Sequence, residues 1–193
     1  MNWRLMALLI GSAVDLAVGD PHGFPHPVVL MGRLISALER GLRRIFPRTV
    51  RGENLAGGLL WLITAGLSFA VPFFLLRLCY DLTPWLGLAV ESLMCWQILA
   101  ARSLGTEAMK VHAALETGDL QASRQAVSMI VGRDTQRLDA RGVARAAVET
   151  VAENTSDGVV APMLFIALGG APLGMFYKAV NTMDSMLGYV EPP

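Results

Sequence analysis

The stretch "VETVAENTSDGVVAPM", residues 148 to 163, places a polar cluster directly before a run of apolar residues. Its members are Glu153, Asn154, Thr155, Ser156 and Asp157. A second cluster follows in "YKAVNTMDSMLGY", where Lys178, Asn181 and Asp184 are spaced by three and share one face of a predicted helix. Carboxylate and amide oxygens suit Mg²⁺, whereas lysine and arginine suit phosphate or carboxylate oxygens. Together the two clusters predict a site for a phosphorylated substrate.

The spacing of these residues leaves the class of site open. The chain contains neither G-x-x-x-x-G-K-[ST] nor G-x-G-x-x-G, so no motif identifies a nucleotide site. Asn154 and Asp157 could instead cap a helix or turn the chain after it, and Asp134 could cap the next helix. His22 and His26, in "DPHGFPHP", could be metal ligands or could simply belong to a proline-rich loop between two helices.

The composition indicates a membrane protein. Of 193 residues, 53% are hydrophobic and only 17% are charged, whereas about one quarter of a soluble domain is charged. The 16 basic and 16 acidic side chains cancel, so no global charge favours nucleic acid as a partner. The two cysteines, Cys79 and Cys95, fit neither a disulfide framework nor a paired metal site.

Four apolar segments predict membrane-spanning helices within a single domain that covers residues 1–193. The segments are 3–19, 55–78, 84–101 and 158–176. The second has no charge before Arg77 and, at about 1.5 Å per residue, can cross a hydrocarbon core of about 30 Å. Pro162, Gly169-Gly170 and Pro172 interrupt the fourth, which predicts a bent or re-entrant helix. The predicted fold class is all-α, a multi-pass helical integral membrane protein.

The arginines set the predicted orientation. Six of them lie between the first two spans: Arg33, Arg40, Arg43, Arg44, Arg48 and Arg51. The positive-inside rule places this loop in the cytoplasm, although the same arginines could simply meet anionic lipid headgroups. The hairpin of the second and third spans returns the chain to the same side, so residues 102–157 form a small cytoplasmic helical insert. We therefore expect a plasma (inner) membrane protein with its polar site on the cytoplasmic side.

Two acidic residues inside the predicted spans keep a second class of function open. Asp15 and Glu91 would be costly at membrane depth, where ionisable groups usually serve a function. If they face one another in the middle of the membrane, a transporter of a small polar solute is favoured. If the loops at 20–27, 133–135 and 153–157 instead converge with residues 178–184 on the cytoplasmic face, an enzyme is favoured.

Four longer blocks carry a resemblance to a known family. They are "GDPHGFPHPVVLMGRLI" (19–35), "SMIVGRDT" (128–135), "VETVAENTSDGVVAP" (148–162) and "YKAVNTMDSMLGY" (177–189). In order and context they resemble the CobD/CbiB family, the membrane-bound adenosylcobinamide-phosphate synthases of cobalamin biosynthesis. The resemblance covers nearly the whole chain. Family members are usually longer, and this chain stops at "GYVEPP", without the family's C-terminal part.

The resemblance implies ATP-dependent formation of an amide between a propionate of adenosylcobyric acid and the amine of aminopropanol or its phosphate. It implies these two substrates, the lipid bilayer and other corrinoid-pathway membrane proteins as partners. ATP and Mg²⁺ would be required, with no tightly bound cofactor. A noncatalytic scaffold for a corrinoid pathway complex is the alternative within the same pathway.

The expected site follows from that reaction, because a carboxylate condenses with an amine only after its oxygen becomes a leaving group. Phosphoryl transfer from ATP provides that leaving group. We expect Glu153, Asn154, Asp157 and Lys178 to be catalytic, with Asp157 and Glu153 holding Mg²⁺. The remaining expected ligands of substrate and phosphate are Arg133, Asp134, Asn181, Asp184 and His26.

Overall fold

The computed structural model describes residues 2–21, 23, 26–132 and 134–188, which form helices and no strand. The helices are α1 (Trp3–Val18), α2 (Pro27–Ile45), α3 (Val50–Leu82), α4 (Pro84–Ile98), α5 (Ala101–Glu116), α6 (Leu120–Ser128), α7 (Ala140–Thr155) and α8 (Ala161–Leu187). A π-helical segment, Ser156–Val160, joins α7 to α8 and is called the π segment below. The all-α class predicted from the sequence is confirmed.

Three helical stretches in the described part of the chain are long and apolar enough to cross a membrane. They are Val50–Leu82, Pro84–Glu116 and Ala140–Leu187. The chain is therefore a multi-pass helical membrane protein, as its composition predicts. The first predicted span, 3–19, forms the shorter helix α1 of 16 residues, and its crossing of the membrane stays a prediction.

A tight turn at Thr83 joins α3 and α4 into the predicted helical hairpin. The Thr83 side chain accepts a hydrogen bond from the Leu86 backbone N–H at 3.1 Å, and Pro84 occupies the first turn of α4. Both are standard signals for a helix start. Gly87 faces the ring of Tyr80 so closely that a Cβ would not fit. These local features bring the two helices side by side immediately after the turn.

α8 consists of two antiparallel arms, 161–169 and 171–187, which reverse at Gly170. Gly170 has φ 75° and ψ −174°, a conformation that is essentially restricted to glycine. The Phe165 and Tyr177 ring centroids are 4.8 Å apart, so residues on either side of the turn pack against each other. The fourth predicted span, 158–176, is therefore a fold-back rather than one straight crossing, which favours its re-entrant alternative.

Two buried carboxylates hold the starts of helices that belong to other segments. Asp15 Oδ2 accepts from the Ala101 backbone N–H at 2.9 Å, at the start of α5. Glu91 Oε1 accepts from the Ala171 N–H at 3.3 Å, at the start of the second arm of α8, and its Oε2 accepts from the Tyr80 hydroxyl at 2.6 Å. Both carboxylates satisfy amide groups that a helix start leaves unpaired and lie at the positive end of its dipole.

The insert that follows α4 is built from α5, α6 and α7 around its own small apolar core. The core residues Val111, Val127, Val143 and Ala146 are at most 1% exposed. Asp139 caps α7 by accepting from the Gly142 N–H at 2.7 Å. The sequence allowed Asp134 to cap this helix, but the helix begins later, after Asp139. Asp134 lies in the loop that precedes Asp139 and is not the cap.

The predicted topology can be tested with single cysteines at exposed positions. Ile45→Cys and Gln121→Cys should react with a membrane-impermeant thiol reagent only from the cytoplasmic side, because both lie on the arginine-rich side of the bundle. Leu82→Cys, at the α3–α4 turn, should react only from the opposite side. The unsubstituted chain, whose two cysteines are buried, gives the background. Labelling of positions 45 and 82 from the same side would exclude the hairpin topology.

Candidate active site

Five of the predicted site residues line one polar cavity of about 330 Å³, called the acidic pocket below. They are Glu153, Asn154, Asp157, Asn181 and Asp184. The first three come from the end of α7 and the π segment, and the last two come from the second arm of α8. The reversal at Gly170 therefore brings the two polar clusters of the sequence together. No lysine or arginine of the described residues lines this pocket.

A second pocket, of about 770 Å³, lies beside the loop between α1 and α2 and is called the loop pocket. Asp20, His26 and Lys178 are among its polar groups. A third cavity, of about 390 Å³, lies between the two pockets and is called the connecting cavity, because it shares Asn154 and Asn181 with the acidic pocket and Lys178 with the loop pocket. The three adjoining cavities are together called the cleft; the acidic pocket lies at one end, and Lys178 lines both the loop pocket and the connecting cavity.

The π segment determines where Asp157 lies. The sequence predicts that the helix ends at Glu153 and that "NTSDG" turns the chain, and this prediction is wrong. The backbone stays helical, and the Ala161 N–H donates to the Ser156 carbonyl, one residue further back than in an α-helix. Asn154 and Asp157 are therefore neither caps nor turn residues. Single π turns of this kind occur frequently at functional sites.

The second arm of α8 holds the π segment in place. The Asn181 side-chain amide donates to the Asp157 carbonyl at 3.3 Å, and the Tyr177 hydroxyl lies 3.5 Å from Asp157 Oδ1. Through its side-chain nitrogen, Asn181 thus links the second arm of α8 to the π segment. Sequence reasoning missed Tyr177, because an aromatic residue in an apolar helix gives no sign of a polar contact.

Lys178 carries a half-buried ammonium group that is free to meet a ligand. The carboxylates of Asp20, Asp15 and Asp157 act on it electrostatically, but no described residue forms an ion pair or hydrogen bond with its Nζ. Lys110, which lines the loop pocket as well, is instead paired with Glu107 at 2.6 Å. A shielded, unpaired cation in a cleft is suited to binding a phosphate or carboxylate group.

His26 has a structural contact that the sequence did not reveal. Its Nδ1 accepts from the Val28 N–H at 3.3 Å and caps α2, while its Nε2 lies 3.7 Å from Asp20 Oδ1. Burial lowers the pKa of His26, against the opposing effect of the Asp20 carboxylate, so the ring is neutral at pH 7. A neutral ring whose nitrogens face Val28 and Asp20 offers little to an anion, and phosphate binding by His26 stays a prediction.

The "SMIVGRDT" block reaches the acidic pocket only through its apolar part. Ile130 and Gly132 line the pocket, whereas the Asp134 carboxylate accepts from the Gln136 N–H at 2.9 Å and shapes its own loop. The structure therefore does not place Asp134 with the other predicted ligands. The predicted ligands Arg133 and His22 lie outside the described residues.

The acidic pocket offers oxygen ligands of the type that Mg²⁺ prefers, but it does not enclose an ion by itself. Among the described residues, no group of three histidine, cysteine, aspartate or glutamate side chains is arranged to hold a metal. Glu153 and Asp157 could supply two oxygens. Mg²⁺ commonly keeps several waters and substrate phosphate oxygens in its shell, so a partial set of protein ligands fits it.

Asp15 and Glu91 do not form the pair that would favour transport. Glu91 lies beside the Gly170 turn at the level of Arg4, and Asp15 is eleven residues further along α1, about 16 Å at ~1.5 Å per residue. Each is committed to the start of a different helix. Asp20, Asp157 and Lys178 instead line adjoining cavities, as the enzyme hypothesis predicts, whereas Asp134 of the predicted loop at 133–135 lines none of them.

Comparison with known proteins gives the same family that the sequence blocks suggested. A family profile described as "CobD/Cbib protein" matches residues 8–193. The chain belongs to the CobD/CbiB family. It is 48% identical over 185 residues to the "Cobalamin biosynthesis protein CobD" of Klebsiella pneumoniae, covering 96% of this chain and 58% of that protein.

Other CobD/CbiB relatives give similar figures. The "Cobalamin biosynthesis protein CobD" of Clostridium tetani is 44% identical over 187 residues, covering 97% of this chain and 58% of the relative. The CbiB protein of Salmonella typhimurium is 45% identical over 185 residues, covering 96% of this chain and 58% of the relative. The chain thus spans little more than half the length of these relatives. No solved structure matches it.

Proposed function

We propose that the cleft is the site of an ATP-dependent amide ligase of cobalamin biosynthesis. The reaction would join a propionate carboxylate of adenosylcobyric acid to the amine of aminopropanol or its phosphate. The observation that carries this proposal is the unpaired Lys178 ammonium at the junction between the acidic pocket and the loop pocket. A ligase of this kind must bring anionic phosphate and carboxylate groups next to a cationic amine. In this cleft Lys178 would bind the anionic groups, and the carboxylates of the acidic pocket would bind the amine.

The proposed chemistry has two steps. A carboxylate oxygen attacks the γ-phosphorus of ATP, the bond to ADP breaks, and the carboxylate becomes a mixed anhydride with phosphate. The amine nitrogen then attacks the acyl carbon, and inorganic phosphate leaves with the former carboxylate oxygen. Attack requires a neutral amine, so the ammonium form must first lose a proton. Lys178 would bind the phosphate and carboxylate oxygens throughout and offset their charge.

The acidic pocket would serve the amine and the metal. Glu153 and Asp157 would hold Mg²⁺, which when bound offsets negative charge on the phosphate oxygens. Asp184, which lines the same pocket, would accept the proton that the amine loses. Asn154 and Asn181, which line both this pocket and the connecting cavity, would orient the substrates by hydrogen bonds.

A ligation assay tests the proposal directly. The chain, reconstituted in lipid, is incubated with adenosylcobyric acid, Mg-ATP and either aminopropanol or its phosphate, and the amide product is measured by mass spectrometry. We expect product and equimolar ADP with one of the two amines. A folded chain and a full-length relative that both bind corrinoid without forming product would favour the scaffold hypothesis.

Asp157→Asn tests the acidic pocket within that assay. The substitution keeps the size of the side chain and an acceptor for Tyr177, but it removes the negative charge. We expect kcat to fall about tenfold, the scale of one charge-assisted contact, and the Mg²⁺ concentration for half-maximal rate to rise. The melting temperature should change little.

Asp134→Asn is the matched control, because it makes the same change at a carboxylate outside the cleft. It should leave the rate and the Mg²⁺ dependence as they are. Unaltered kinetics in Asp157→Asn, measured in this chain or at the equivalent position of a full-length relative, would remove Asp157 from the metal site.

A further inference from the structure

The reversal of α8 leaves one end of the helical bundle without a helix. Gly170 turns beside Glu91, which lies seven residues after the start of α4, or about 10 Å along its axis at ~1.5 Å per residue. Between this turn and the α3–α4 turn lies a cavity of about 900 Å³, called the end cavity below. It is at the end of the bundle opposite the arginine-rich loop and apart from the cleft.

The walls of this end cavity are mainly apolar. Trp3, Phe69, Phe73, Leu76 and Leu173 line it, and Phe73 is still 46% exposed. A cavity with such walls gives water too few polar partners, whereas hydrocarbon chains match it. Because the surrounding helices lie in the membrane, acyl chains are the apolar groups at hand to fill it.

Two arginines and two carboxylates lie at the rim of this cavity, and one of the arginines forms no ion pair within the described residues. Arg77 pairs with Asp81 at 3.1 Å, and the two Glu91 oxygens accept from neutral donors, the Tyr80 hydroxyl and the Ala171 N–H, so Glu91 keeps its charge. Arg4 lines the same cavity and has no ion pair or hydrogen bond of its side chain within the described part of the chain. The Arg4 side chain is exposed, so its guanidinium can contact an anionic group that enters the cavity.

We propose that the end cavity binds an anionic phospholipid from the adjacent leaflet. The lipid phosphate meets the Arg4 guanidinium, which can form two parallel hydrogen bonds to it. The acyl chains lie along Phe69 and Phe73 and fill the space that the fold-back of α8 leaves open. This site is separate from the cleft and does not depend on the ligase proposal.

The test measures lipid binding to the full chain. Delipidated protein in detergent is titrated with phosphatidylglycerol or phosphatidylcholine and examined by native mass spectrometry. We expect one phosphatidylglycerol to bind about tenfold more tightly than phosphatidylcholine, because the choline ammonium offsets the phosphate charge in phosphatidylcholine, whereas phosphatidylglycerol keeps a net negative charge. Arg4→Gln should abolish that preference, whereas Arg4→Lys should keep most of it, which separates loss of charge from loss of folding.

Two further variants sharpen the test. Asp81→Asn removes the carboxylate that neutralises Arg77 and should tighten phosphatidylglycerol binding severalfold. Arg44→Gln makes the same change as Arg4→Gln in the arginine-rich helix α2 and should leave the single tight site unaffected. Equal binding of the two lipids to the unsubstituted chain would overturn the proposal. If Arg44→Gln weakened phosphatidylglycerol binding as much as Arg4→Gln, the proposal would also be overturned, because the lipid would then bind at the arginine-rich end of the bundle.

Discussion

Lys178→Met is expected to lower kcat/KM for amide ligation by about ten- to 150-fold, while the protein still inserts and folds. Methionine keeps most of the length and the apolar stem of lysine, so its packing along α8 is retained. What it removes is the one half-buried ammonium that no described residue neutralises. A charge-assisted hydrogen bond contributes about 1.5–3 kcal/mol, and each ~1.4 kcal/mol corresponds to a factor of ten.

Lys178→Arg separates a ligand from a membrane anchor. Arginine also reaches the interface with its charge, so an anchoring role predicts no effect. Its broad planar group does not fit the space of a compact ammonium, so a phosphate or carboxylate ligand predicts a higher apparent KM for ATP or corrinoid.

The matched control for both Lys178 variants is Lys110→Met. It removes a lysine that Glu107 already neutralises, and it should cost less than a factor of three. Steady-state kinetics at saturating and limiting substrate give these values. Unchanged kinetics in both Lys178 variants would assign this residue to membrane anchoring alone.

Gly170→Ala should destabilise the protein by about 3 kcal/mol and disrupt the acidic pocket. The φ of 75° with an extended ψ is nearly closed to residues with a Cβ and costs on the order of 1–3 kcal/mol for such a residue. The added Cβ would also lie 2.6 Å from Glu91 Oε1. Relief of that contact would require the Glu91 carboxylate to leave the Ala171 amide that it caps. Unfolding in mixed detergent micelles measures the change in free energy.

Gly66→Ala is the control for this substitution. Gly66 lies inside α3, where a Cβ would meet nothing within 4 Å. Alanine is favoured over glycine in a helix interior by up to about 1 kcal/mol, so this variant should be as stable as the unsubstituted chain or slightly more stable. A Gly170→Ala protein with the same stability as Gly66→Ala would show that the chain does not reverse at residue 170.

The sequence predicts the parts of this fold that depend on local pattern. The apolar length of residues 55–78 predicts α3, and Thr83 with Pro84 accounts for the turn into α4. Glycine and proline signal a break in α8, but they do not give the direction of the chain after it. That direction depends on Glu91, which lies 80 positions before Ala171, the residue whose amide it caps.

The candidate site shows the same division. Residue types in "VAENTSDG" and "YKAVNTMDSM" predict that the two stretches share a site, because their chemistry is complementary. The π segment is not predictable from these stretches. It depends on contacts that Asn181 and Tyr177, in the second arm of α8, make with Asp157. The capping role of His26 depends on a local contact with Val28, which the sequence could have indicated. It was missed because this histidine was considered only as a possible ligand or as part of a proline-rich loop.

The π segment also makes the number of residues in this stretch part of the site. A π turn holds one residue more than the α-helical turn it replaces, and one residue of α-helix corresponds to a rotation of about 100°. Loss of a single residue between 156 and 160 would let the helix rewind as α, and the helix before it would rotate by that angle relative to the arms of α8. Glu153 and Asn154 would then point away from Asn181 and Asp184 with every side chain of the pocket still present. Chain length between the two clusters is thus under the same constraint as the identity of the residues in them.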